Sequence, residues 1–227
     1  MLDFGFYNMD CMDGMKEFPD KYFDLAIVDP PYFSGPEKRI FFGRKVSPIG
    51  VKRCYKAMEE WTVPSKEFFI ELQRVSKHQI VFGCNYFDYP FASGRIVWDK
   101  CNGSNFFSDA EIAFCSLHDS VRLFRYMWNG MNQGKSIDEG YIMQGNKKLN
   151  EKRIHPTQKP VALYDWLIRE YTKPGDTILD THVGSASSLI ACKKAGLQYV
   201  GFEKDKGIYQ DAVARLNEFE SQLSLLW

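Results

Sequence analysis

The sequence predicts an α/β fold with a mostly parallel sheet and helices on both faces, and three observations carry that reading. Short continuous apolar runs such as Phe23-Asp24-Leu25-Ala26-Ile27-Val28 and Thr177-Ile178-Leu179 read as buried strands, and each is followed by a turn rather than by a close antiparallel return. Between the runs lie segments with apolar residues at helical spacing, among them Phe68, Phe69, Leu72 and Val75, and Leu163, Leu167 and Ile168. Finally, the strand ending at Asp180 passes through a Gly184-containing turn into a helix, and an acidic residue, Glu203, follows about 20 residues later at the end of another strand. After Glu203 only one helical segment remains, so these last strands must join those at the N-terminus.

A chain of 227 residues with 29 basic and 29 acidic side chains suits one sizeable α/β domain, 1–227, and confines any nucleic-acid surface to a local patch. No run reaches the roughly 18 apolar residues of a membrane span, and Met1-Leu2-Asp3-Phe4 lacks a secretory layout, so a soluble cytoplasmic protein is expected. The six cysteines include no Cys-x-x-Cys, which suggests neither a zinc site nor a disulfide framework.

In order, Phe4 to Asn8 reads as a short strand ending at Asp10, whose carboxylate suits a helix N-cap. The run Tyr22 to Val28 then ends in Asp29-Pro30-Pro31-Tyr32. Two prolines fix φ and remove donors, so the backbone there is stiff and cannot continue as strand or helix. A carboxylate, a proline carbonyl and an aromatic ring in one turn could grip a planar exocyclic amine. Read blandly, the same four residues are a strand-ending turn with a packed tyrosine.

Residues 33–61 lose apolar periodicity and carry Lys38, Arg39, Arg44 and Lys45 among interspersed glycines. Either this is a lid that closes on phosphates or a solvated loop with incidental charge, and its position directly after the tetrapeptide favours the lid. Pro64 opens the next helix, strand Gln79 to Gly83 ends in Cys84-Asn85-Tyr86-Phe87, and further strands follow at Arg95–Trp98 and Glu111–Cys115. From 118 to 150 amides and bases crowd a stretch with few aliphatics, including Arg122 and Arg125, which suits reading base edges and holding phosphates. An ordinary polar connection anchored by Trp128 is the alternative.

His155-Pro156-Thr157-Gln158-Lys159-Pro160 precedes a helix, so Thr157, Gln158 and Lys159 stand where free amides and the helix dipole favour an anion. In the last third, the turn after Asp180 has Gly184, Ala186 and Leu189 where a dinucleotide fingerprint needs three glycines. A phosphate-free nucleoside cofactor fits better, with Glu203 on its ribose hydroxyls.

Asp29-Pro30-Pro31-Tyr32, Gly83-Cys84-Asn85-Tyr86-Phe87, Ser108-Asp109-Ala110-Glu111, His155 to Pro160 and the Gly184 turn, in that order, resemble the beta-class DNA amino-methyltransferases that act on adenine N6 or cytosine N4. The resemblance spans nearly the whole chain. It implies the Rossmann-like S-adenosylmethionine-dependent methyltransferase fold with circularly permuted motif order, the catalytic half first and the cofactor half last. It further implies Asp29, Pro30, Pro31 and Tyr32 as the catalytic turn. Asp10, Thr157, Gln158, Lys159, Asp180, His182, Gly184, Ser185 and Glu203 become the S-adenosylmethionine site, with Lys159 on the methionine carboxylate. Lys38, Arg39, Arg44, Lys45, Arg122 and Arg125 become the nucleic-acid contacts, and 118–150 a small target-recognition insertion.

One departure stands out, since the family's Asp-Pro-Phe-x-Gly-Ser-Gly-Thr-Thr is here Asp180-Thr181-His182-Val183-Gly184-Ser185-Ala186-Ser187-Ser188, which is expected to put a methyl group near the cofactor. The Asp-Pro-Pro-Tyr form resembles the adenine enzymes, so adenine-N6 methylation of flipped bases in double-stranded DNA is the expected function. The alternatives are cytosine-N4 methylation and a catalytically weakened DNA-binding protein. A second copy of the chain and a cognate restriction enzyme are the candidate protein partners. No metal is implied.

Overall fold

A computed structural model describes residues 1–32, 61–103, 108–155 and 157–224. The basic stretch with Lys38, Arg39, Arg44 and Lys45, expected to be a lid, lies outside the described residues, as does Pro156.

The chain runs β1 (Gly5–Tyr7), α1 (Cys11–Lys16), β2 (Phe23–Val28), α2 (Lys66–Val75), β3 (Ser76–Phe82), β4 (Arg95–Asp99), β5 (Ala110–Cys115), β6 (Val121–Arg125), the short hairpin β7 (Trp128–Asn129) and β8 (Asn132–Gln133), α3 (Val161–Tyr171), β9 (Thr177–Asp180), α4 (Ser187–Lys194), β10 (Gln198–Phe202) and α5 (Lys206–Ser224). Eight strands form one sheet in the order β1-β10-β9-β2-β3-β5-β4-β6. Within it only β5 runs against the others.

The late strands insert between the early ones: β9 pairs with β2 through Leu25↔Ile178, and β10 pairs with β1 through Gly5↔Val200. Strand period 2 sorts β2 onto two cores. Leu25 and Ile27 pack with Leu163, Leu167 and Ala191 from α3 and α4, whereas Ala26 and Val28 pack with Met15, Phe68 and Leu72 from α1 and α2. Helices therefore cover both faces, as expected of strands that read as unbroken apolar runs. The α5 helix joins a third cluster through Ala212 and Leu216 against Val183 and Leu189.

Boundaries differ from expectation in two places. The α2 helix starts at Lys66 after Ser65, not at Pro64, and leads without a loop into β3, which begins at Ser76. Residues 121–125, read as part of a polar insertion, form the edge strand β6, in which Phe124 alone is buried. A strand exposed along one side and at its edge leaves no apolar run to read.

Among the described residues no helix is long and apolar enough to cross a membrane.

Candidate active site

Because β1, β2, β9 and β10 are parallel, their carboxyl ends open at one edge of the sheet, where ligands of α/β folds bind. A cleft of about 400 Å³ lies there. It is lined by Asp10, by Asp29, Pro30, Pro31 and Tyr32, by Thr157, Gln158 and Lys159, by His182, Gly184 and Ser185, and by Glu203. The geometry thus brings together residues that the sequence scatters over nearly two hundred positions.

Asp10 caps α1, its Oδ1 accepting from the Met12 amide at 2.9 Å, while Oδ2 pairs with the Lys204 ammonium at 3.1 Å. Burial works to raise its pKa, but the Met12 and Lys204 contacts outweigh it and hold the carboxylate ionised. Capping and cleft lining are both served by one side chain.

The glycine turn is tied to β10 through Glu203. Its Oε2 accepts from the Gly184 amide at 3.0 Å and its Oε1 from the Asp205 amide at 2.9 Å, and burial raises its pKa. Gly184 needs its positive φ of 55°. Ala186 holds a φ of 64° despite its Cβ, a conformation that costs roughly 1–2 kcal/mol in an L residue. Its methyl group was expected near the cofactor; instead it is fully buried with Val183, Leu189 and Leu216 and does not line the cleft.

His182, in place of the family's phenylalanine, packs edge-on to Phe68 with ring centroids 5.4 Å apart, and burial takes its pKa down to about 4. The ring is therefore neutral. Asp180 sits behind the cleft, accepting from the Ser188 hydroxyl and the His182 amide, and burial pushes it up to about 7. It shapes the turn from within.

The segment before α3 differs from expectation. The α3 helix begins at Val161, and the Val161 amide donates to Glu151 Oε2 at 2.9 Å, so the helix start is already served by a carboxylate of the chain. Gln158 braces the same loop, donating through Nε2 to Glu151 Oε1 and accepting through Oε1 from the Ile154 amide. Thr157 turns its hydroxyl to His155 Nδ1 at 3.0 Å. The Trp128 indole donates to the Gln158 carbonyl at 2.7 Å, anchoring the start of the β7–β8 hairpin as its bulk suggested.

Lys159 also departs from the expected anion site. Only 3% of its side chain is exposed, and its ammonium bonds Asp29 Oδ2 and lies 2.9 Å from Glu111 Oε2. Glu111 in turn pairs through Oε1 with Lys100 at 2.6 Å. Burial works to raise Glu111, and the two ammonium groups overcome it, taking the carboxyl down to about 2. Asp29 is raised by burial, with Lys159 opposing. Its Oδ1, shut from solvent, has no hydrogen-bond partner among the described residues.

Glu111 and Lys100 were missed as site residues. The one signal was Ser108-Asp109-Ala110-Glu111, a resemblance that gave no role, and an acid on a strand otherwise written Ile-Ala-Phe-Cys.

Tyr32 lies over Gly83, where a Cβ would come 2.3 Å from the ring; the φ of 68° there likewise favours glycine. The Tyr86 ring stacks on Tyr32 at 4.8 Å and 9°. Arg122 and Arg125 do not line the cleft. They lie on β6 at the sheet's far edge, with Arg125 at the same end of the sheet as Asp29 and 3.4 Å from Asp99.

The type II methyltransferase M.HinfI of Haemophilus influenzae is 23% identical over 93% of this chain and 67% of its own length. YubD of Escherichia coli (strain K12), named as a candidate methylase, is 28% identical over 87% and 83%. Among solved structures, M1.HpyAVI with SAM superposes with a TM-score of 0.56 at 20% identity over 92% of this chain and 98% of that one. The cytosine-N4-specific PvuII DNA methyltransferase gives 0.54 at 14% identity over 92% and 84%, so the sheet and its helices are shared well beyond sequence likeness. The family model for N6/N4 DNA methylases matches residues 23–214, and the chain belongs to that DNA methylase family.

Proposed function

We propose that the protein is a DNA adenine-N6 methyltransferase that uses S-adenosylmethionine. The observation that carries this is Asp29, one carboxylate oxygen fixed by Lys159 and the other unpartnered among the described residues, beside Pro30 and Tyr32 in the cleft.

The cleft suits the cofactor. Its single-glycine turn and its self-satisfied α3 start leave no cradle for a pyrophosphate, while Asp10, Asp29 and Glu203 give it carboxylates that favour a cation. Asp10 takes the adenine amine and Glu203 the ribose hydroxyls, with His182, Gly184 and Ser185 along the wall. When bound, S-adenosylmethionine would supply an electrophilic methyl group on its sulfonium, the S–C electron pair staying with sulfur as the base nitrogen takes the methyl.

The chain's own residues prepare that nitrogen. An exocyclic amine delocalises its lone pair into the ring; Asp29 Oδ1 and the Pro30 carbonyl accept its two hydrogens and favour a pyramidal nitrogen with the lone pair free. Tyr32 stacks on the base, which must leave the duplex to reach the cleft. Because the Tyr86 ring covers Tyr32, it swings aside or flanks the base when one enters. Holding both partners in line supplies much of the rate, and the amine proton departs to water afterwards. Cys11, also in the cleft, is raised to about 12 by burial and takes no nucleophilic part.

Double-stranded DNA is the substrate. Residues 118–150 outside β6 contribute target recognition, and Arg122 and Arg125 contribute phosphate contacts.

The test is methyl transfer from labelled S-adenosylmethionine to unmethylated genomic DNA with nucleoside analysis, wild type beside Asp29→Ala. N6-methyladenine made only by wild type supports the reading. N4-methylcytosine keeps the mechanism and overturns the base, and absence of both product and cofactor binding favours a binding protein on the same fold.

A further inference from the structure

Four charges stand in alternating order behind the catalytic turn: Lys100, Glu111, Lys159 and Asp29. The links are Lys100 to Glu111 Oε1 at 2.6 Å, Glu111 Oε2 to Lys159 at 2.9 Å, and Lys159 to Asp29 Oδ2. Lys100 Nζ also lies 5.0 Å from the Trp98 ring centre and Lys159 Nζ 4.9 Å from that of Phe82, so each ammonium is held against an aromatic face. A buried ammonium needs one carboxylate for compensation, and a second adds its own desolvation cost. That Lys159 has two calls for a reason beyond stability.

The arrangement supplies one. Glu111 draws the Lys159 ammonium to a fixed point between two strand ends, and Ser187 fixes the Lys159 carbonyl at 2.8 Å. With the lysine held from both ends, Asp29 is anchored through Oδ2 alone, and Oδ1 is left for a ligand. The negative charge of Glu111 also offsets the pull of Lys159, so that Asp29 remains a strong acceptor. Lys159 and Lys100 together keep Glu111 itself ionised.

We propose that Glu111, backed by Lys100, is a positioning residue for methyl transfer: it holds the Lys159 ammonium so that Asp29 presents Oδ1 to the substrate amine. Lys159 accordingly serves the catalytic carboxylate and not the carboxylate of the cofactor. This rests on the methyl-transfer reading above.

The test compares wild type, Glu111→Gln and Lys100→Met in single-turnover methyl transfer to DNA across pH, with calorimetric binding of S-adenosylmethionine. Glu111→Gln is expected to slow transfer roughly 10- to 100-fold, the scale of a small misplacement of a reacting group. Cofactor affinity should stay within about a factor of two, since the mutation leaves Asp10 and Glu203 untouched. The acid limb of the rate profile should move to lower pH, because Asp29 then faces Lys159 without the opposing charge of Glu111; Asp180, Tyr32 and Tyr164, which also face this region, are unchanged by the mutation. Lys100→Met should slow transfer less and in the same split.

A Glu111→Gln protein with wild-type rate and limb overturns the inference. So does a parallel loss of rate and cofactor affinity, which would return Lys159 to the cofactor. Should Glu111→Gln fail to fold, Lys100→Met decides alone, and an unchanged rate refutes the role. Failure of wild type to methylate DNA would instead remove the underlying reading and the inference with it.

Discussion

Lys159, just before α3, donates its ammonium to the carboxylate of Asp29 at the end of β2, 130 positions earlier in the chain. The contact joins two distant parts of the sequence inside one cleft. Substitutions on either side should therefore separate chemistry from binding.

Asp29→Ala and Asp29→Asn are expected to lower methyl transfer at least about 100-fold, the cost of losing one preorganised partner of a developing charge. Cofactor affinity should change little, because Glu203 and Asp10 remain and Lys159 retains Glu111. Filter assays of labelled DNA beside calorimetry separate the two.

Gly83→Ala tests the seat of Tyr32. The new Cβ would stand 2.3 Å from the Tyr32 ring on a backbone with positive φ, so the ring must move. A stability loss of about 1–2 kcal/mol is expected from the backbone alone. Methyl transfer should fall further than stability does, as read by activity at a temperature well below the melting point.

Acid should weaken the fold through His155 and His182. Burial holds both below the ordinary imidazole value of 6.5, at about 4, so the unfolded chain takes up protons first as pH falls. Their contribution is whole above pH 6.5 and lost as pH falls towards 4. Each should cost about 2 kcal/mol between pH 7.5 and pH 5. Asp180 acts oppositely: raised to about 7, it stabilises the fold at low pH and loses that contribution as pH rises from about 4 to 7. Urea unfolding of His182→Phe at the two pH values should show a smaller acid loss than wild type.

Glu151→Ala removes the acceptor shared by the Val161 amide, Gln158 and Arg215, whose guanidinium also donates to the Ser185 carbonyl at 2.6 Å. Leaving that buried guanidinium without the Glu151 charge should cost about 3–5 kcal/mol. Glu151→Gln, which keeps the shape, should cost less and lower cofactor affinity roughly tenfold as the Ser185 turn loosens, since outer partners of a binding shell commonly carry that much. Thermal melts with and without S-adenosylmethionine would show both effects.

Legibility in the sequence followed the physics of burial. Strands β2, β9 and β10 are largely buried and read as apolar runs, and the expectation that the late strands join those at the N-terminus matches the pairing of β10 with β1 and of β9 with β2. The Asp29-Pro30-Pro31-Tyr32 turn and the Gly184 turn braced by Glu203 were legible because proline and glycine announce backbone geometry. What escaped was long-range pairing. Nothing local in Glu111 or Lys100 says that they meet Lys159, and nothing in Lys159 distinguishes an open anion site from a buried ion pair. The Ala186 methyl was misplaced for a similar reason: a spacing gives the residue's place in the turn but not the side to which a left-handed backbone directs its Cβ.

The insertion of β9 and β10 between β1 and β2 also constrains how the polypeptide acquires its shape during synthesis. Strands β1 and β2 precede residue 29, yet their respective neighbours β10 and β9 arrive only with residues 177–202. Until then both present open hydrogen-bonding edges on a ribosome-bound chain, and the sheet cannot close domain-half by domain-half. Pairings of such large sequence separation fold slowly and leave partly formed sheets exposed to aggregation. The strand order therefore sets late-made strands between early-made ones, so that β1 can join the sheet only once β9 and β10 are in place.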